Sequence, residues 1–165
     1  MQTIYGAVSV DNPMIVLDDR ENNIFRSIES YHLPMQKLGD KRVLEIFSYV
    51  LNQYVYSQIS PLRGSPCKIK YPCWIKEDIR IENPFIRWEL FKDTYEQNHE
   101  SLLYRLVTDV SEHQVNFSIE LKHLQDHIPQ ASLQDYWNIV KDINWKALPR
   151  LTIAGPKETV PHDDN

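Results

Sequence analysis

Residues 115–122 alternate without a break: Val115, Phe117, Ile119 and Leu121 are apolar, while Asn116, Ser118, Glu120 and Lys122 are polar. Successive side chains of a strand point to opposite faces, so the stretch predicts a strand with one dry face and one wet or functional face. Residues 85–91 and 102–110 are dense in β-forming residues and predict two further strands, with the polar stretch 92–100 between them. Weaker alternation at Lys68, Ile69, Lys70 and Tyr71 is cut by Pro72, and that at Ile79, Arg80 and Ile81 stops before Pro84. The amino-terminal end reads as a hairpin over residues 3–17, with Asp11, Asn12 and Pro13 as its turn. Residues 18–40 read as a connector with one short helical turn, because Asp18, Asp19, Asn22, Asn23, Pro34 and Gly39 punctuate them.

Two stretches switch to spacings of three and four. Val43, Leu44, Phe47, Val50, Leu51, Tyr54 and Val55 form one stripe behind Asp40, a good helix cap. They predict a helix from residue 40 to about residue 59, stopped by Pro61 and Gly64. Leu133, Tyr136, Trp137, Val140 and Ile143 predict a second helix reaching about Lys146, opened by Ser132 with Asp135 three residues on and closed by Pro149. Residues 150–154 read as a short final strand, and 155–165 as a polar tail with no reason to be ordered. The expected fold class is therefore α+β: a mostly antiparallel sheet with two main helices packed on one face, in a single domain over residues 1–154.

A chain of 165 residues can bury enough apolar surface to need no disulfide or metal, so it should fold alone or as a simple oligomer. Cys67 and Cys73 are spaced C-x5-C, which fits neither a disulfide-dense secreted scaffold nor a zinc knuckle, and both are expected as reduced thiols. No uncharged apolar run approaches the ~18 residues of a membrane helix, and no basic residue precedes the apolar stretch at the amino terminus. Membrane insertion and export are disfavoured, and a cytoplasmic location is expected. The net charge of −5 opposes indiscriminate binding to nucleic acid and would steer a basic partner. One stretch runs against it: Arg63, Lys68, Lys70 and Lys76 occur without an acid between residues 61 and 76, interleaved with Tyr71 and Trp74.

Candidate chemistry is sparse. A carboxylate at Asp109 and the pair Glu120 and Lys122 on the next strand would share one sheet face, since residues two apart point the same way. Two carboxylates can hold Mg2+, and an ammonium can help to orient or deprotonate water for phosphodiester hydrolysis. Residues 107–122 thus resemble the PD-(D/E)xK nuclease pattern, which implies a Mg2+-dependent nuclease with Asp109, Glu120 and Lys122 catalytic. Thr108 stands where that pattern has Pro, no Gly-rich approach precedes Asp109, and 43 residues follow Lys122. His123 and His127, four apart with Asp126 beside them, could share a helical face and hold zinc, although Leu124 stands where a zinc protease carries Glu. Lys68 and Lys70 lie between the two cysteines and could lower a thiol pKa. Lys68, Lys70, Tyr71 and Trp74 could form a small surface for single-stranded nucleic acid, with cations on phosphate and rings under bases. No P-loop, nucleophile elbow or dinucleotide-binding glycine array is present.

The residues favour a non-enzymatic protein-binding module of immunity-protein, chaperone-like or adaptor type, acting by stoichiometric association and using no cofactor. Aromatic residues are enriched at interface hot spots, and Trp74, Trp88 and Trp145 are the candidate partner-binding residues.

Overall fold

The computed structural model describes residues 9–32, 36–38, 41–45, 54–55, 60–83, 92–146 and 150–154. Its strands are, in chain order, β1 (Ser9–Asp19), β2 (Ile24–His32), β3 (Gln36–Leu38), β4 (Lys41–Glu45), β5 (Cys67–Lys68) and β6 (Cys73–Glu82). They continue with β7 (Asp93–His99), β8 (Leu102–Val110), β9 (Gln114–His123), β10 (His127–Ile128) and β11 (Arg150–Ala154). Helix α1 (Leu133–Lys146) is the one α-helix delimited among the described residues.

The alternation at 115–122 does what period two requires. Strand β9 pairs antiparallel with β6 on one side and β8 on the other, and β7 completes a four-stranded sheet in the order β6-β9-β8-β7. Val115, Phe117, Ile119 and Leu121 are all buried, as are Leu102, Tyr104 and Leu106 on the same face of β8. Ile75, Ile79 and Ile81 of β6 pack at the margin of this cluster. Against it lies α1, whose Leu133, Tyr136, Val140 and Ile143 recur at the three-and-four spacing of one helical face and are buried in turn. Each such side chain, moved fully out of water, contributes about 1.5–3 kcal/mol before conformational entropy is set against it.

The opposite sheet face is wet and charged. One row across the sheet reads Lys76, Glu120, Arg105, Glu96, an alternation of sign that places every charge beside its opposite. Arg105 and Glu96 are in contact at 2.9 Å, and Ser118 donates its hydroxyl proton to Asp78 on the neighbouring strand.

Several expectations are corrected. The described residues are mostly β and hold one α-helix, so the expected pair of main helices on one sheet face is not found among them. Lys41–Glu45, read as the start of the first helix, is strand: Val43 and Leu44 pair with Thr152 and Leu151 of β11, and Val43 pairs on its other side with Gln36 of β3. Five residues with adjacent apolar positions fit either period, and pairing on both edges overrides helical preference. Residues 46–53 and 56–59, the rest of that stripe, lie outside the described residues, while Val55 is buried in the core. The polar stretch 92–100 contains β7, whose Tyr95 reaches the core while its alternate residues face water. Strands at 102–110 and 150–154, and the helix from Leu133 to Lys146, stand as predicted. Ser132 directs its hydroxyl to the Glu100 carboxylate, which ties the start of α1 to the β7–β8 turn. The strand expected at 85–91 and the tail at 155–165 lie outside the described residues.

The amino-terminal hairpin also differs. β1 runs straight through Asp11, Asn12 and Pro13, which two register shifts absorb as bulges, and the stretch 18–40 read as a connector contains strands β2 and β3. The true turn spans residues 20–23, where the backbone N–H and side-chain amide of Asn22 donate to the Asp19 carboxylate at 3.1 and 2.8 Å. Asn23 closes it in the left-handed region at φ 55°, a conformation that Asn tolerates.

Truncating Leu121→Ala, at 0% exposure beside α1, should cost about 3 kcal/mol in urea denaturation. Thr94→Ala on the wet face of β7 should stay within about 0.5 kcal/mol.

Candidate functional site

The segment between β5 and β6 is held at three points. Cys67 and Lys68 pair with Ile128 and His127 of β10, Ile69 N–H donates to the Asp126 carbonyl at 2.9 Å, and Cys73 enters the sheet opposite His123. Between these anchors the chain turns through Lys70, Tyr71 and Pro72. His123, buried at the end of β9, fixes the start of the turn through a 2.6 Å contact from Nδ1 to the Lys70 carbonyl. A carbonyl only accepts, so Nδ1 carries the proton. Burial pushes the His123 pKa below the ordinary histidine range, against the opposing pull of the Lys70 and Tyr54 carbonyls.

This scaffold surrounds an open cleft of about 620 Å³, lined by Tyr54, Lys68, Ile69, Lys70, Tyr71, Pro72, Cys73, Trp74 and Ile75. Its chemistry is cationic and aromatic. Lys70 Nζ stands 4.3 Å from the centre of the Tyr54 ring, and Tyr71 is half exposed. Trp74 is 62% exposed, yet it is fixed on three sides. The Lys122 and Lys76 ammonium groups sit 4.3 and 4.9 Å from its ring centre, and its indole N–H donates to Glu120 Oε1 at 2.7 Å. Lys122 also contacts that oxygen at 3.1 Å. Burial opposes ionisation of Glu120, but the hydrogen bonds from Lys122 and Trp74 and the nearby lysine charges outweigh it, and the carboxyl lies below the ordinary glutamate range. The arrangement follows from register: Trp74 pairs with Lys122 and Lys76 with Glu120, so four side chains of two strands meet on one face.

The sequence-predicted residues therefore divide. Glu120, Lys122 and Trp74 come together. Asp109 does not join them: Glu120 pairs with Arg105, four residues from Asp109 along β8, which is about 14 Å of strand at ~3.4 Å per residue. Asp109 is held instead by Lys92 at 2.6 Å, and that hydrogen-bonded ammonium lowers its pKa. Among the described residues no group of three His, Cys, Asp or Glu could hold a metal ion. His123 and His127 lie on two strands rather than one helical face, His123 on the Lys70 carbonyl and His127 on Asp126 at 2.6 Å. Cys67 is buried and Cys73 partly so, and burial raises the Cys73 pKa against the pull of Lys70, which disfavours its thiolate. Trp88 lies outside the described residues, and Trp145 falls near the end of α1. Tyr54 and its contact with Lys70 escaped sequence reasoning because they are distant in the chain. The shared outward parity of Trp74 and Lys76, and of Glu120 and Lys122, was the available signal.

No protein-family model, curated protein or solved structure matches this chain.

Because His123 is held neutral in the fold, acidification should destabilise the protein. The contribution is complete above about pH 6.5, the unfolded value, and is lost as pH falls toward the lower folded pKa. One proton limits the slope to about 1.4 kcal/mol per pH unit. Urea titrations from pH 7.5 to 5 should show this loss, and His123→Gln should reduce the dependence.

Proposed function

We propose that the chain is a non-enzymatic, cytoplasmic protein-binding module that captures an acidic segment of a partner in the cleft beside Trp74. The observation that carries this reading is an exposed indole already immobilised by two lysines and a glutamate. A ring held in place loses little side-chain entropy on binding, and hot spots favour Trp with a polar surround. The net charge of −5 suggested a basic partner, but Lys68, Lys70, Lys76 and Lys122 reverse the sign at the cleft. A docked segment meets local charges, since those beyond about 8 Å are screened at physiological salt.

A peptide suits the cleft better than a long polyanion. Glu120 beside Trp74 and Asp126 beside the Lys68 strand interrupt any continuous cationic track for a phosphate backbone. The nuclease reading needs Asp109 and Glu120 to share an ion, and the strand register holds them far apart. Two free thiols accord with a reducing compartment, and no helix among the described residues is long and apolar enough to cross a membrane.

The test uses an acidic copolymer of Glu and Tyr, and a single-stranded dT oligonucleotide, followed by calorimetry. The copolymer should bind, weaken with salt, and lose about 30-fold in affinity with Trp74→Ala. Equal or tighter binding of dT, no binding of the copolymer, or indifference to Trp74→Ala contradicts the proposal.

A further inference from the structure

The β1–β2 ribbon is a long two-stranded structure with no third strand among the described residues. Val10, Met14, Ile15, Val16, Leu17, Ile24, Phe25 and Ile28 are each 42–70% exposed. Together they present on the order of 800 Å² of surface, divided between the two faces of the ribbon, where the largest apolar patch of a typical monomer is roughly 300–600 Å². Register places apolar residues on both sides: Ile15, Leu17, Ile24 and Ile28 share one face, and Val16 and Phe25 the other. A lone hairpin is marginal in water, so this one needs company.

Its two edges are not equivalent. β1 carries Pro13 and two register shifts, devices that blunt an edge against further pairing. β2 has neither proline nor glycine, and its register with β1 is regular from Ile24 to Ile28. One open edge is the condition for a closed pair rather than a fibre.

We propose that two copies of this chain pair antiparallel through β2 about a two-fold axis at Ile28, joining their ribbons into one four-stranded sheet. The sequence of β2 is self-complementary in this register. Ile28 meets Ile28 of the second copy, Phe25 meets Tyr31, Arg26 meets Ser30, Ser27 meets Glu29 and Ile24 meets His32, so no like charges oppose. Because Ile15 already pairs with Ile28 within each ribbon, the central row becomes four isoleucines across the sheet. On the other face Phe25, already beside Asp18, gains the Tyr31 ring of the second copy, behind which lies Val10. All nine residues of β2 overlap, and residues 20–23 of each turn lie at the outer ends, where their charges stay in water.

Analytical ultracentrifugation of the full chain should give a dimer, and Ile28→Lys should raise its dissociation constant roughly 100-fold by setting two ammonium groups opposite each other. Circular dichroism of that variant should match the parent, since the core lies elsewhere. Oxidative cross-linking checks the register in a Cys67→Ala, Cys73→Ser background. Ile28→Cys places two Cα atoms about 5 Å apart, within disulfide reach, and should cross-link. Ser30→Cys places them four residues apart, about 14 Å, and should not. A monomer at every soluble concentration, an oligomer other than a dimer, a dimer indifferent to Ile28→Lys, or equal cross-linking at the two positions overturns the proposal.

Discussion

The four-stranded sheet and the cleft beside it depend on one contact: the apolar face of β8 and β9 against the Leu133, Tyr136, Val140 and Ile143 face of α1. Strand β9 is central to it, with neighbours on both sides and five inward positions that include His123. Everything proposed for the cleft inherits its geometry from this strand. Its inward parity buries His123 on the Lys70 carbonyl, and its outward parity delivers Glu120 and Lys122 to Trp74. Both faces are coupled by covalent structure alone, since a one-residue slip of β9 would turn each set to the wrong side.

That coupling explains how a protein with net charge −5 builds a cationic recess. Lysines on the outer face need not be buried, and each finds either a ring or a carboxylate: Lys70 lies over Tyr54, while Lys122 lies over Trp74 and beside Glu120. Such surface pairs contribute little to stability, commonly 0–1 kcal/mol. Their consequence is positional. An indole gripped by cations and a carboxylate is held in place while 62% of it stays exposed to solvent.

The sheet was largely legible in the sequence where alternation was strict, as at 115–122, and where the helical stripe was long, as at Leu133–Lys146. Legibility failed where the deciding term was pairing rather than period. Val43 and Leu44 are adjacent apolar residues compatible with helix or strand, and only partners distant in sequence, Thr152 and Leu151, select the strand. Asp11, Asn12 and Pro13 have turn chemistry, yet bulges accommodate them, while the turn at 20–23 rests on the Asp19 carboxylate and the left-handed Asn23. For the site, Glu120, Lys122 and Trp74 were each visible as candidates, but in different hypotheses. The strand register, which the sequence does not print, joins these three and leaves Asp109 with Lys92.

Native-state hydrogen exchange resolved by residue tests the central role of β9 most directly. The amides of Val115, Phe117, Ile119, Leu121 and His123 should be among the last to exchange and do so only through global unfolding, because β9 lies between two paired strands and these five side chains are buried in the core. Exchange of those amides at the rate of the 69–72 turn, or well before the amides of α1, would contradict it.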